Sequence, residues 1–124
     1  MVTDGVEVIV GVSQDPTFGP VILCGIGGIY VEMYEDVAMR VCPIDHAEAR
    51  EMVTGLRAAK LLQGYRGRPR ADVDGLVDVL VRMSVMAIEL QSELTQIDIN
   101  PLAVLPQGQG VKVLDALVVP DNRF

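Results

Sequence analysis

Residues suited to binding nucleic acid are scarce in this 124-residue chain. It has no tryptophan, three tyrosines and two phenylalanines, and its 17 acidic residues outnumber its 10 basic ones. A net charge of −7 argues against a nucleic-acid or anionic-membrane partner, because binding to phosphates requires a basic surface. The one basic cluster, Arg66–Arg70 (RGRPR), has only Tyr65 as an aromatic neighbour. It indicates either a solvated loop or a contact for an anion.

Cysteines and long apolar runs are also few. Cys24 and Cys42 each lie within a short apolar stretch, and two thiols of this kind are typical of small buried residues rather than of a disulfide scaffold. No window approaches the roughly 18 apolar residues of a membrane span. The N-terminus has no basic segment followed by an apolar one, so no secretory signal is recognisable. We therefore expect a cytoplasmic protein.

The chain contains enough apolar residues to form one hydrophobic core. Half of it is hydrophobic and 22% is charged, so residues 1–124 are expected to form a single globular domain, without repeats or low-complexity segments. The residues rich in β-branched side chains predict strands. These are residues 6–13 and 20–24, joined as a hairpin, two short strands at 29–33 and 36–41, and a terminal hairpin formed by residues 94–105 and 111–119.

Two helices are predicted between these strands. Asp45 and Glu48 match a capping box, so a helix should run from there to about Lys60, and a longer one should begin at Asp72 or Asp74. The order of strands, two helices and strands predicts an α+β fold. We expect a mainly antiparallel sheet with two helices packed on one face.

Polar residues along the terminal hairpin are the first indication of chemistry. In LTQIDINPL (residues 94–102), isoleucines alternate with Gln96, Asp98 and Asn100 until a proline ends the pattern. If Leu105 pairs with Val111, Asn100 lies one step from Asp115, and a bulge at Pro101 would bring the two level. An amide and a carboxylate oxygen suit Mg²⁺, which keeps several waters and takes further oxygens from phosphates. The competing interpretation is an ordinary polar strand edge.

Longer blocks of the sequence resemble a known family. EVIVGVSQDPTFGPVILCGIGGIYVEMYEDVAMR, LLQGYRGRP and IDINPLAVLP, followed by Leu114-Asp-Ala116, resemble the ATP-grasp region of NDP-forming acyl-CoA synthetases. These are the ADP-forming acetyl-CoA synthetases, which are related to the β subunit of succinyl-CoA synthetase. The resemblance runs from about Val6 to Val119 and implies the C-terminal lobe of an ATP-grasp fold.

The resemblance implies phosphoryl transfer. Such ligases interconvert an acyl-CoA, a nucleoside diphosphate and phosphate with the free acid, CoA and the triphosphate, through acyl phosphate and phosphohistidine intermediates. The ATP-grasp unit holds ATP or ADP together with Mg²⁺, and so supplies positioning and charge neutralisation.

The family pattern also implies roles for individual residues. Asn100 and Asp115 match the metal-ligand positions. Arg40 lies where a basic phosphate contact is often found and is the candidate catalytic residue. The candidate nucleotide-binding residues comprise the glycine loop and two acids near the cleft, namely Gly25, Gly27, Gly28, Glu7 and Glu32.

Each of these roles has a structural alternative. The glycines of residues 25–28 could form only a tight turn. Arg40 could instead form a surface ion pair with Glu35 or Asp36, and Glu7 could occupy a solvated position on a strand. Asp98 is either an outer contact of the metal site or simply hydrated. The single histidine, His46, falls in the first turn of a predicted helix and outside any phosphohistidine motif, so we do not assign it that role.

Two departures from the family pattern bear on function. The N-terminal lobe, which in the family supplies the lysines over the phosphates, and the CoA-binding domains are expected to lie outside this chain. We therefore expect either a fragment of a longer ligase or a free-standing half, in both cases inactive alone. Relatives commonly have a basic residue where this chain has Leu117. That leaves a second hypothesis, a degenerate or non-catalytic half that acts through protein contacts or completes a site in trans. A third, an ATP-grasp ligase that joins a carboxylate to an amine or another thiol, is disfavoured by the DINPL block.

Overall fold

One antiparallel sheet forms the centre of the protein. The structure is a computed structural model that describes residues 5–64 and 67–121, without the side chains of residues 29 and 30. The strands of the described chain are β1 (Val6–Asp15), β2 (Gly19–Ile26), β3 (Val37–Val41), β4 (Leu94–Val104), β5 (Val111–Val113) and β6 (Ala116–Pro120). The sheet order is β3-β2-β1-β4, and both β5 and β6 pair with the far side of β4.

The helical elements flank this sheet. Helix α1 spans Gly28–Tyr34, α2 spans His46–Thr54, a 3-10 helix spans Arg57–Gln63, and α3 spans Val73–Glu89. The buried side chains of α2 and α3 form one hydrophobic cluster with Val10, Cys24 and Ile99 from the sheet. The predicted α+β fold, with two helices on one face of a mainly antiparallel sheet, is confirmed.

Side-chain caps fix where the two long helices begin. Asp45 accepts a hydrogen bond from the backbone amide of Glu48 at 2.8 Å, and Asp72 accepts one from that of Gly75 at 3.1 Å. Each cap satisfies an amide that the first helical turn leaves without a partner. Both predicted starts are therefore confirmed.

The predicted strand at residues 29–33 and the predicted end of the first long helix are both wrong. Residues 29–33 belong to helix α1 rather than to a strand, and α2 ends at Thr54 instead of continuing to Lys60. The chain turns at Gly55 and Leu56 is extended, after which the 3-10 helix begins. The carboxylate of Asp36 accepts hydrogen bonds from the amides of Arg57 and Ala58 at 2.8 and 2.9 Å, and this tertiary contact starts a new element.

Within the described residues, no helix is long and apolar enough to cross a membrane.

Candidate functional site

The face of the sheet opposite α2 and α3, here called the open face, carries the polar residues of β4. Val10 pairs with Ile99 and Val12 with Ile97, and all four side chains are buried in the core. Because successive side chains on a strand point to opposite faces, the residues between them face away from α2 and α3. The polar side chains on the open face of β4 are therefore Gln96, Asp98 and Asn100.

The register of β4 with β5 and β6 places Asn100 beside Asp115. Ile99 pairs with Ala116 and Leu102 with Val113, and between these pairs the amide of Asn100 donates to the carbonyl of Asp115 at 3.0 Å. Directly opposed residues of an antiparallel pair have Cβ atoms about 4.5–5.5 Å apart. The structure thus brings the two predicted metal ligands together.

The way in which they meet differs from the sequence prediction. Leu105 does not pair with Val111; its amide donates to the carbonyl of Gly110 at 3.0 Å, and Val104 is the partner of Val111. Because of this shift of one residue, Asn100 lies directly opposite Asp115 without a bulge on that side of β4.

The predicted irregularity at Pro101 lies on the other side of β4. Val8 pairs with Leu102 and Val10 with Ile99, so Ile9 faces both Asn100 and Pro101. Asn100 therefore sits in a bulge, where a strand locally bends and redirects a side chain.

The chemistry of these two side chains fits a hard divalent cation. Both are exposed, and one oxygen of Asp115, Oδ1, accepts a hydrogen bond from the amide of Ala116 at 2.9 Å. That contact orients the carboxylate while its second oxygen stays available. In the described part of the chain no group of three or more histidine, cysteine, aspartate or glutamate side chains is arranged to hold a metal. A pair of oxygen ligands suits Mg²⁺, whose remaining positions are commonly filled by water and phosphate.

A third oxygen-bearing side chain lies close by, above a glycine. Gly11 pairs with Asp98, and a Cβ atom added to Gly11 would lie 3.0 Å from Oδ1 of Asp98. The other carboxylate oxygen of Asp98 accepts a hydrogen bond from Nε2 of Gln96 at 3.4 Å. The sequence interpretation overlooked Gly11, although an isolated glycine within a β-branched strand is a known sign of close approach.

The glycines of residues 25–28 differ from one another in structural role. A Cβ atom on Gly25 would lie 2.5 Å from Cγ2 of Val31, so this glycine lets α1 pack against β2. Gly27 has a φ of +71°, which favours glycine, and its amide donates to the carbonyl of Glu7 at 2.9 Å. Gly28 is exposed and begins α1, with no described atom within 4 Å of its added Cβ. Structural needs thus account for Gly25 and Gly27, and Gly28 is left open towards solvent.

The two acids assigned to the nucleotide cleft are both exposed. Glu7 lies on β1 next to buried Val8, so alternation places its side chain on the open face. Helix α1 also lies on this side, because Gly25 faces the same way as its partner Ile9. Glu32 is exposed on that helix.

Arg40 lies apart from these residues. It is on β3, three strands from β4, and pairs with buried Ile22, so alternation places it on the helix-bearing side of the sheet. Its Nη1 donates to the carbonyl of Met39 at 2.9 Å. No salt bridge to Glu35 or Asp36 is present among the described residues. The structure does not bring Arg40 together with Asn100 and Asp115.

The remaining polar residues singled out from the sequence lie on the helical side. Nε2 of His46 is 3.7 Å from Oδ1 of Asp78 on α3, and both side chains are well exposed. Arg68 and Arg70 of the basic cluster are exposed, whereas Tyr65 and Arg66 lie outside the described residues.

Comparison with known proteins places this arrangement in a family. The model of the ATP-grasp domain family matches residues 1–119. This chain belongs to the ATP-grasp family. Over 119 residues it is 40% identical to the beta subunit of the ADP-forming acetate–CoA ligase II of Pyrococcus furiosus, and the match covers 96% of this chain and 50% of that subunit. It is 43% identical over 111 residues to the ADP-forming acetate–CoA ligase I of Archaeoglobus fulgidus, covering 90% of this chain and 16% of that protein.

Solved structures of ATP-grasp relatives agree with this assignment. The dinucleotide forming acetyl-coenzyme A synthetase 1 of Ca. Korarchaeum cryptofilum, in complex with coenzyme A and Mg-AMPPCP, superposes with a TM-score of 0.89 at 36% identity. That match covers 98% of this ATP-grasp chain and 55% of the solved one. PH1788 from Pyrococcus horikoshii gives the same TM-score and identity and covers 98% and 51%. The chain thus spans about half the length of these relatives.

Proposed function

We propose that this ATP-grasp chain is the C-terminal, nucleotide- and Mg²⁺-binding lobe of an NDP-forming acyl-CoA synthetase. The parent reaction interconverts acyl-CoA, a nucleoside diphosphate and phosphate with the free acid, CoA and the nucleoside triphosphate. The observation that supports the proposal is the register of β4, in which the backbone amide of Asn100 donates to the backbone carbonyl of Asp115, so that the two residues lie opposite each other.

The proposed work of this lobe is to bind and orient the nucleotide. Asn100 and Asp115 would hold Mg²⁺, which neutralises the charge on nucleotide phosphates when it is bound. Asp98 adds negative charge two residues away, and Glu7 and Glu32 border the same face. Only the family pattern supports a phosphate contact by Arg40, because the position of this residue on β3 does not bring it near Asn100 and Asp115.

A second, N-terminal lobe is part of the proposal. The chain spans 50% of one relative and 16% of another, so phosphate-binding groups from another lobe and the CoA-binding domains of the parent would complete the site. The lobe alone is expected to be inactive. A cytoplasmic location is proposed with it, because the two buried cysteines are free thiols, as is usual in a reducing compartment.

The cation site is testable on the chain alone. Mn²⁺, a paramagnetic substitute for Mg²⁺, should broaden the backbone NMR signals of residues 98–100 and 115–116 before any others, and excess Mg²⁺ should reverse the effect. Asp115→Ala should abolish this selective broadening. Glu51→Ala removes an exposed carboxylate from α2 and should leave it intact. Equal broadening in the wild type and in Asp115→Ala would refute the metal assignment.

The nucleotide function is tested by restoring a second lobe. Calorimetric titration with the ATP analogue AMPPCP should show Mg²⁺-dependent affinity when this chain is fused to the N-terminal half of the Pyrococcus furiosus beta subunit. The chain alone should show little. In the full-length parent enzyme, Asp115→Ala should abolish phosphoryl transfer without unfolding the protein, and wild-type turnover in that variant would refute the metal assignment.

The alternative is a non-catalytic or degenerate half that acts through protein contacts. It is favoured by Leu117, which lies opposite Asp98 on the open face and is 58% exposed. An apolar side chain there adds nothing to phosphate binding. Nucleotide-independent association with the second lobe, combined with no AMPPCP binding in the fusion, would support this alternative over the ligase.

A further inference from the structure

A polar pocket lies among the helical elements, away from the residues assigned to the nucleotide. It has a volume of about 220 Å³ and is bordered by α2, the 3-10 helix, the start of α3 and the turn between β4 and β5. Its floor contains Leu62 and Ala71, which are buried. Arg50, Arg70 and Gln107 are among its polar walls. None of the roles proposed above uses this pocket.

Hydrogen bonds tie the walls of the pocket together. The amide of Gln107 donates to the carbonyl of Arg70 at 2.8 Å, and that of Ala71 donates to the carbonyl of Leu62 at 2.9 Å. The backbone amide of Asp72 donates to the carbonyl of Leu105 at 2.8 Å. The segment that carries Arg70 is thus held between the 3-10 helix and the turn, which makes the pocket a preformed feature of the fold.

The stem of Arg70 lies beside a position that requires glycine. Gly64 has a φ of +86°, and its added Cβ would lie 3.4 Å from Cγ of Arg70 and 2.9 Å from the carbonyl oxygen of Arg68. Glycine at this position therefore leaves room for the stem of Arg70 at the edge of the pocket.

The charges on the pocket walls leave Arg70 as the available cation. Arg50 is paired with Asp74. The two carboxylate oxygens of Asp72 accept from the amides of Gly75 and Gly110 at 3.1 and 2.8 Å. Among the described residues no salt bridge involves Arg70. The acids are engaged, whereas a guanidinium offers up to five donors in a fork that matches a carboxylate.

We propose that this pocket binds a small carboxylate, held by the guanidinium of Arg70. The amides of Gln63 and Gln107 provide neutral donors around it. A monoanion is preferred to a phosphate dianion because Asp72 and Asp74 also border the pocket and would repel additional negative charge. The volume is below the usual range for drug-sized ligands, about 300–1,000 Å³, which limits the ligand to a few carbon atoms.

The test is an NMR titration of the 124-residue chain with sodium acetate and sodium glycolate at constant ionic strength. Saturable shifts are expected for the amides of Gly64, Ala71 and Gln107, with none at Asn100 or Asp115. Arg70→Gln should weaken binding by about 10- to 100-fold, the range expected for hydrogen bonds to a charged group. Arg70→Lys keeps the positive charge but loses the paired donors of the guanidinium group. Its affinity should therefore lie between those of the wild type and Arg70→Gln.

The matched control is Arg68→Gln, which removes a neighbouring exposed arginine from outside the pocket. It should bind acetate as the wild type does, whereas equal loss in both variants would show a general effect of net charge and overturn the proposal. Tighter binding of inorganic phosphate than of acetate would overturn the choice of ligand, and the absence of saturable shifts would overturn the site. Because the readout is the amides of Gly64, Ala71 and Gln107, it does not depend on the outcome of the Mn²⁺ experiment at Asn100 and Asp115.

Discussion

Substituting two glycines of one short run by alanine should have opposite effects on stability. At Gly25, an added Cβ would lie 2.5 Å from Cγ2 of Val31, 3.2 Å from Cγ1 of Val37 and 3.3 Å from the carbonyl oxygen of Asp36. The first distance is far below van der Waals contact, so either the side chain of Val31 must change its rotamer or α1 must move away from β2. At Gly28 the same atom meets no described neighbour within 4 Å.

The expected magnitudes follow from this difference in space. Forcing an extra carbon into a packed site destabilises by about 1–3 kcal/mol. Where the backbone permits it, replacing glycine by alanine raises the unfolding free energy by about 0.4–1 kcal/mol, because it lowers the conformational entropy of the unfolded state. Gly25→Ala should therefore lose about 1–2 kcal/mol of unfolding free energy, and Gly28→Ala should gain up to about 1 kcal/mol.

Urea unfolding followed by circular dichroism measures both variants on the 124-residue chain. The two free energies should differ by at least about 1.5 kcal/mol, or roughly 6 °C in Tm for a domain of this size. Equal stability of the two variants, or a less stable Gly28→Ala, would refute the assignment of Gly25 to packing. In the two-lobed fusion, weaker AMPPCP binding by Gly28→Ala without any loss of stability would indicate that this open glycine approaches phosphate.

Other variants address the buried polar contacts and the thiols. Ser84→Ala removes the hydroxyl that accepts from the amide of Ile44 at 3.0 Å and should cost about 1–3 kcal/mol in urea unfolding, whereas a loss below about 0.5 kcal/mol would mean that water replaces it. Asp36→Ala leaves two amides without their acceptor and should cost about 2–4 kcal/mol, and retention of wild-type stability would contradict its anchoring role. Burial raises the pKa of Cys24 to about 12 and that of Cys42 to about 11, so both should resist iodoacetamide at pH 8 until urea is added. Because unfolding returns these pKa values towards 9.0, the stability that the two thiols contribute should be fully present below pH 9 and lost as pH rises above it, and the resulting fall in unfolding free energy should be smaller in Cys24→Ala.

Local chemistry in the sequence predicted much of this fold. Asp45 and Asp72 begin helices as expected, because a cap depends on residues within one turn of each other. The alternation in β4 similarly predicted the open face. The register error of one residue arose in the turn before Val111, whose geometry the strand pattern does not specify.

The failures occurred where a distant contact decides the local structure. Residues 29–33 contain strand-forming side chains, yet Val31 packs against Gly25 and the segment forms a helix. The end of α2 depends on Asp36, more than ten residues earlier in the chain. For the site, Asn100 and Asp115 were predictable from the pairing of nearby strands. The distance of Arg40 from them depends on the order of strands across the sheet, which local pattern does not reveal.

The bulge in β4 contains the candidate cation ligand Asn100 and lies before the regular pairing of β4 with β1 on its C-terminal side. Opposite Ile9 of β1, strand β4 has two residues where regular pairing would place one. On the other side of β4, Leu114 and Asp115 connect β5 to β6. Deleting Pro101 would restore simple alternation against β1 and leave Leu102 facing inward. The core side chains of β4 could then keep their register against β1, while the position of Asn100 relative to Asp115 on the open face would change.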